Sequence, residues 1–369
     1  MTSATPGPDL TDPAPDVAKL DLTGSVADLT RALCDIPSVS GDEQAIADAV
    51  EAALREVAHL EVIRDGNCVV ARTQLGRAER VVIAGHIDTV PIAGNLPTRT
   101  LDGVIHGRGT VDMKGGVAVA LNLAAGVPEP TRDVTYVFYD CEEIEAVRNG
   151  LGRLSRERPE LLQADFAVLG EPTSAVVEGG CQGTMRVEVT TTGTAAHSAR
   201  SWMGSNAIHH AGAVLDVLNG YRARQIEVDG LVYREGLNAV GISGGIAGNV
   251  IPDRCSVLVN YRFAPDKSLA EAEAHLRELF GAWEVTVTDA SPAARPGLNA
   301  PVAAHFVAAV GGTPGPKYGW TDVALFSGLG IPAVNFGPGN PSLAHKDDEH
   351  CPESDLTTCL DALRRYLTG

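Results

Sequence analysis

At 369 residues the chain exceeds what one typical core uses, so two domains are expected. With 44% hydrophobic and 21% charged residues it must bury a large apolar surface, which excludes disorder along its length. The balance of 29 basic and 47 acidic residues, net −18, argues against a nucleic-acid backbone or an anionic membrane as partner. A small anionic ligand stays open, because a few local cations dominate inside a cleft.

The opening segment, MTSATPGPDLTDPAPD, has neither the basic nor the apolar region of a signal peptide, and residues 1–20 read as a mobile tail. Helical signals begin near Ser25. Ser40-Gly41-Asp42-Glu43 matches a capping box, and Ile46, Ala49, Val50, Ala53, Leu54 and Val57 follow at helical spacing. Three apolar runs come next: Val81 to Ala84, Val134 to Tyr139 and Phe166 to Leu169, separated by helical stretches such as Gly116 to Ala125. Such alternation predicts an α/β sheet covered on both faces.

The texture changes after Glu178. Met185, Val187 and Val189 alternate with Arg186, Glu188 and Thr190, and Cys255 to Arg262 alternates likewise, with helices near 206–218 and 269–280. Half-exposed strands of this kind predict a small α+β layer. From Pro292 the chain returns to Gly/Pro loops, an Ala-rich helix and the strand Ala333 to Phe336. The reading is a discontinuous α/β domain over residues 21–178 and 293–369, interrupted by an α+β domain over residues 179–292. No run approaches the roughly twenty apolar residues of a membrane helix. Seven scattered cysteines without a CxxC pair suit a reducing cytoplasm.

The chemistry gathers where strands end. His86 and Asp88 in GHIDTVP project to one side of an extended segment, and the Asp can orient a metal-binding imidazole. The same pair serves equally as a hydrogen-bonded strand end. Asp112 closes the Gly-rich turn GRGTVDMKGG, as a carboxylate aimed into a cleft or as a helix cap. Glu142 and Glu143 repel each other unless a cation compensates; one can ligate a metal while the other activates water, or both can line a solvated acidic turn. Glu171 in LGEPT and His345 in SLAHKDDEH complete the set. Ligands in open α/β folds collect at the carboxyl ends of strands. Two divalent cations would be balanced by Asp112, Glu143, Glu171 and one hydroxide, with neutral His86 and His345 completing the shell. A set of His, Asp and Glu without Cys suits Zn²⁺ or Co²⁺.

Together GHIDTVP, GRGTVDMKGG, DCEEIE, LGEPT and LAH resemble the M20 family of dinuclear zinc amidohydrolases and peptidases. The resemblance implies a catalytic α/β/α domain of zinc-peptidase type with an inserted lid that forms a homodimer. It implies His86, Asp112 and Glu171 around one zinc, and Asp112, Glu143 and His345 around the other. Asp112 would bridge, Glu142 would be the general acid/base and Asp88 would orient His86. In GTAAHSAR, His197 resembles the lid histidine that polarises the scissile carbonyl from the partner subunit. GNVIPD and NYRF, with Asn249 and Arg262, resemble lid segments that hold a substrate carboxylate, and the loops carrying Thr321 and Asn340 look like substrate-lining loops.

GCQGTMRVEV, GNVIPDR and GPGNPSLAH resemble the desuccinylase branch of high-GC bacteria. That implies hydrolysis of N-succinyl-L,L-2,6-diaminopimelate to succinate and L,L-2,6-diaminopimelate, a step toward lysine and diaminopimelate. The Glu178 to Gly183 stretch lacks the arginines that some desuccinylases carry there, and Trp320-Thr321-Asp322 replaces the usual Gly-Thr-Ser-Asp. The alternatives are an N-acetylornithine or other N-acyl-amino-acid deacylase, or an M20 dipeptidase. The partner expected is a small N-acyl diamino acid, with no nucleic acid and no membrane.

Overall fold

The computed structural model describes residues 19–369; of the tail expected over residues 1–20, residues 1–18 lie outside it, while Leu20 is buried against the core. The hairpin β1 (Glu61–Asp65) and β2 (Cys68–Arg72) starts the central sheet. It continues through β3 (Arg80–His86), β4 (Asp133–Tyr139) and β5 (Phe166–Leu169). After the short strand β6 (Glu178–Gly179) the chain leaves the sheet, returning as β11 (Gly315–Pro316) and β12 (Ala333–Asn335). The order is β1-β2-β4-β3-β5-β12-β6-β11. Its middle, β4-β3-β5-β12, is parallel.

Side-chain alternation along these strands separates two cores. Val81, Ile83, Tyr136, Phe138 and Val168 face one side, with helices α1 (Val26–Cys34), α2 (Gln44–Arg55), α3 (Lys114–Gly126), α7 (Pro301–Val310) and the C-terminal α9 (Glu353–Thr368). Val82, Ala84, Val137 and Leu169 face the other, with α4 (Gly150–Glu157) and α8 (Val323–Gly328). Both faces are covered, which is why these strands read as unbroken apolar runs.

Between β6 and β11 lies a four-stranded antiparallel sheet, β8-β9-β7-β10, built from β7 (Gly183–Thr192), β8 (Gly236–Gly244), β9 (Arg254–Phe263) and β10 (Glu284–Ser291). Met185, Val187, Val257, Val259 and Tyr261 pack under α5 (Ala207–Gly220) and α6 (Leu269–Leu279). One sheet face is thus apolar and covered, and the opposite face is polar. Ser268 and Glu271 form a reciprocal capping box at the start of α6.

The capping box expected at Ser40 is absent. α2 begins at Gln44, the Ser40 hydroxyl donates to Asp88 at 2.7 Å, and Glu43 accepts from the Gly41 amide instead. His106 is half-buried in a short strand and stacks on His350 with ring centres 4.9 Å apart. His59 lies in the turn after α2, bonded to the Ala124 carbonyl at 2.8 Å.

The lid is pinned by a buried carboxylate. Glu235 accepts from Arg224 at 2.7 Å, Lys267 at 2.9 Å, Tyr261 at 3.1 Å and the Ala264 amide at 3.2 Å. Burial opposes its ionisation, but hydrogen bonds from Arg224 and Lys267 win and hold it at about 2 against an ordinary 4.5. A carboxyl depressed on folding contributes stability above its unfolded value and loses it as pH falls toward the folded one. Glu235→Gln should therefore cost roughly 2–4 kcal/mol at pH 7, since it strands Lys267 and leaves Arg224 with Asp266 as its one carboxylate. Urea melts at stepped pH should show that gap closing between pH 4.5 and about 2; a gap constant with pH would refute the ion-pair account.

Candidate metal centre

Each parallel strand of the central sheet delivers one or two chemical groups at or beyond its carboxyl end. His86 is the last residue of β3, Glu142 and Glu143 follow β4, Glu171 follows β5, and His345 lies ten residues beyond β12. Asp112 arrives from the turn that opens into α3, and its peptide bond to Met113 is cis. One ligand atom from each of His86, Asp112 and Glu171 lies within 4.8 Å of the others. The same holds for Asp112, Glu143 and His345. Asp112 is common to both groups, with Oδ1 at 3.2 Å from His86 Nε2 and Oδ2 at 3.3 Å from His345 Nε2. Glu143 Oε1 lies 2.9 Å from His345 Nε2.

Asp88 organises this cluster from below and is fully buried. It accepts from the amides of Glu142 and Glu143, each at 3.1 Å, and from Ser40. Its backbone carbonyl lies 3.1 Å from His86 Nδ1, and its carboxylate 3.5 Å away. With Nδ1–H donating there, Nε2 keeps its lone pair for the side where Asp112 stands, as a metal-bound imidazole requires. Glu349, buried and also missed by sequence reasoning, holds the Asp112 turn. It accepts from the Val111 amide at 2.9 Å, the Asp112 amide at 3.1 Å and Arg108 at 2.8 Å.

The electrostatics call for cations. Burial, then the Asp112 carboxylate, pushes the Glu171 carboxyl up to about 8. Burial also drives Glu142 well above the ordinary range, helped by Glu171, Asp322 and Glu143 and opposed by His86. Hydrogen bonds to Asp112 and Glu143 raise His345 to about 10. Carboxylates crowded this closely in low dielectric are stable only with protons or metal ions between them. A donor set of two imidazoles and three carboxylates, with one carboxylate shared, fits a pair of divalent cations. Glu142 belongs to neither of those two groups; it forms a further one with His86 and Glu143, and lines the cleft.

A second carboxylate group, Glu43, Asp140 and Cys141, lies behind the first. Burial, then Glu43, pushes the Cys141 thiol up to about 12. The thiol donates to Glu43 at 3.4 Å, so the group is hydrogen-bonded within itself.

The cluster forms the floor of a cleft of about 1010 Å³ between the central sheet and the polar face of the lid. Arg262 and Thr321 line it, as do Arg186, Asp289 and Lys317, which sequence reasoning passed over. The Thr321 hydroxyl donates to Asn335 at 2.8 Å. Asn340 is exposed and caps the following turn at the Ser342 amide. His197 and Asn249 are exposed and are not among the lining residues. They travel together, since His197 pairs with Val250 and Asn249 accepts from the Ser198 amide at 2.9 Å.

Packing beneath Glu171 is close. A Cβ on Gly116 would sit 2.1 Å from the Gly170 carbonyl oxygen, and one on Gly337 would sit 2.2 Å from the same atom.

The description peptidase family M20/M25/M40 matches residues 82–369 of the chain. A succinyl-diaminopimelate desuccinylase of Corynebacterium glutamicum is 48% identical over 360 residues, covering 95% of this chain and 98% of the relative. A relative from Mycobacterium tuberculosis, to which the same activity is ascribed, is 58% identical over 353 residues, 95% of this chain and all of the relative. Among solved structures, a tripeptidase from Staphylococcus aureus superposes with a TM-score of 0.77 at 21% identity, over 94% of this chain and 98% of that one, a likeness of fold.

Gly116→Ala should push α3 off the Gly170–Glu171 turn. We expect a loss of roughly 1–3 kcal/mol in stability and roughly 10–100-fold weaker binding of one metal equivalent. Calorimetric titration with zinc would test this; two unchanged sites would show that the contact does not position Glu171.

Proposed function

The chain belongs to peptidase family M20/M25/M40, and from that membership and the cleft we propose that it hydrolyses N-succinyl-L,L-2,6-diaminopimelate to succinate and L,L-2,6-diaminopimelate. The observation that carries this reading is the coincidence of a two-cation donor set with unpaired Arg262 on the facing wall. Arg262 is half-buried, and burial together with Arg186 lowers its pKa. No carboxylate lies within ion-pair distance of it among the described residues. A guanidinium in that state is a ready partner for a carboxylate of the ligand.

His86, Asp112 and Glu171 would hold one metal ion, and Asp112, Glu143 and His345 the other, with Zn²⁺ the proposed occupant and Co²⁺ a substitute. When bound, such a pair polarises the amide carbonyl and lowers the pKa of water. The chain supplies the rest. Asp88 keeps His86 in the tautomer that presents Nε2. Glu142 takes the proton of the attacking water and delivers it to the departing amine nitrogen. Arg262 fixes the acyl chain through its terminal carboxylate, and the Thr321 and Asn340 loops close the far wall.

His197 accepts from the Ala199 amide at its Nδ1, 3.1 Å away, which leaves Nε2–H as its donor toward a developing oxyanion. We infer that it acts, with Asn249, in the cleft of a second copy. β8 is an edge strand carrying exposed Val240 and Ile242, and Trp202 beside His197 is 79% exposed. An apolar, unpaired edge is the surface that a two-fold partner covers. All seven cysteines are free and buried, which suits a reducing compartment.

Protein stripped with EDTA should release no succinate, and two equivalents of zinc should restore turnover. Glu142→Gln should bind both metals yet lose roughly 10²–10⁴ in kcat. Zinc binding with N-acetylornithine cleaved and the succinyl substrate intact would move the chain to the deacetylase alternative. For the dimer, Ile242→Lys should halve the sedimenting mass and reduce kcat by roughly 10²-fold or more, as expected for a missing oxyanion donor. A monomer of full activity would remove His197 from the reaction.

A further inference from the structure

The lid wall of the cleft carries charge of both signs. β7 turns Met185 and Val187 toward the lid helices and Thr184 and Arg186 toward the cleft. Arg186 stands opposite Asp289 on β10, and the register slips between Val287 and Asp289. That bulge carries Asp289 to the side of Arg186, and Arg186 Nη1 meets Asp289 Oδ2 at 2.9 Å. The pair is open: the two side chains keep 48% and 35% of their surface exposed, and both line the cleft. An exposed ion pair contributes little to stability, so holding two sheet strands together is a weak reason for it.

Charge counting on this wall points to a ligand. Arg186 and Arg262 lie on neighbouring strands, Arg262 opposite Thr184 and Asn260 opposite Arg186, so the two guanidinium groups are diagonal neighbours. Burial and then Arg186 disfavour the charge on Arg262, and the carboxylate beside them, Asp289, is bonded to Arg186. The wall therefore presents one free cation and one open dipolar pair. The proposed substrate carries three carboxylates and one ammonium: one carboxylate on the acyl chain, one beside the acylated nitrogen, and at its far end a free amino acid with an ammonium and a carboxylate on one carbon, the last of which matches the dipolar pair.

We propose that the Arg186–Asp289 pair is a specificity element that reads this zwitterionic end, Arg186 taking the carboxylate and Asp289 the ammonium. The proposal rests on the desuccinylase reading and deepens it. A ligand end with one charge meets one partner and one like charge, which repels it, so the pair rejects both kinds of truncated substrate. It also compensates for the arginines missing from the Glu178 to Gly183 stretch, by placing a cation three residues further along the same segment.

Three substrates test it. N-succinyl-L,L-diaminopimelate carries both far-end charges, N-succinyl-L-lysine only the ammonium, and N-succinyl-L-2-aminopimelate only the carboxylate. The zinc-loaded wild type should favour the first by roughly tenfold or more in kcat/KM, mostly through KM. Arg186→Met should erase the preference for diaminopimelate over the lysine derivative and raise turnover of the latter. Asp289→Asn should erase the preference over the aminopimelate derivative and raise turnover of that compound. Melting temperatures verify that both variants fold. Equal use of all three by the wild type, or equal losses on all three in both variants, overturns the proposal while leaving the desuccinylase reading intact. If the zinc-loaded wild type cleaves none of them, that reading fails and takes the proposal with it.

Discussion

A buried carboxylate with no lysine or arginine bonded to it is the constraint on which this molecule turns. Asp88 lies at zero exposure, and its oxygens are satisfied by the amides of Glu142 and Glu143 and the hydroxyl of Ser40, with the His86 ring 3.5 Å away. Those donors come from the loop after β4, from the segment before α2 and from the end of β3. Losing any of them would leave charge stranded in low dielectric, at a cost comparable to a large share of the stability of a whole domain. The requirement to satisfy Asp88 thus dictates where the Glu142–Glu143 turn lies and how the His86 ring is oriented. Fold and site share one hydrogen-bond network.

That network explains which features were legible from residues alone. The parallel strands were, because burial on both faces leaves apolar runs, and the acids and histidines directly after them were conspicuous against that background. Ser40 was misread because Ser-x-x-Glu is a local pattern, and the demand of Asp88, 48 residues away, takes its hydroxyl. Glu349 was invisible for a related reason. It sits in the run KDDEH, which looks solvated, and only the tertiary fold shows it buried under the Asp112 turn. The β8 strand, GLNAVGISG, has too little alternation and too much glycine to announce itself. Asp289 depends on a bulge, a one-residue offset that no periodicity reports.

Glycine has a particular task beneath the metal centre. The Gly170 carbonyl is approached by the backbone of α3 at Gly116 and by the turn at Gly337, each closer than any Cβ allows. Ligands drawn from different strand-end loops converge within 4.8 Å only if those loops pack backbone to backbone. Side-chain bulk at either point would hold Glu171 away from His86 and Asp112. The glycines in GRGTVDMKGG and FGPGN are therefore part of how the donor set closes, as much as the ligands themselves.

A single chain assembles the donors, the base and the cationic wall, yet none of its own histidines beyond His86 and His345 lines or ligates in the cleft. An oxyanion that develops during amide hydrolysis needs a donor opposite the metal side. The best-placed histidine by chemistry, His197, has its Nδ1 occupied by the Ala199 amide and its Nε2–H free, on an exposed turn beside an exposed tryptophan. Free donor, exposed apolar neighbour and unpaired edge strand all lie on the lid, away from the cleft they would serve. Under the proposed reading, two lids would meet edge to edge and each chain would complete the other's site. Association and catalysis would then be coupled by geometry, and dilution of the protein would act on turnover as well as on mass.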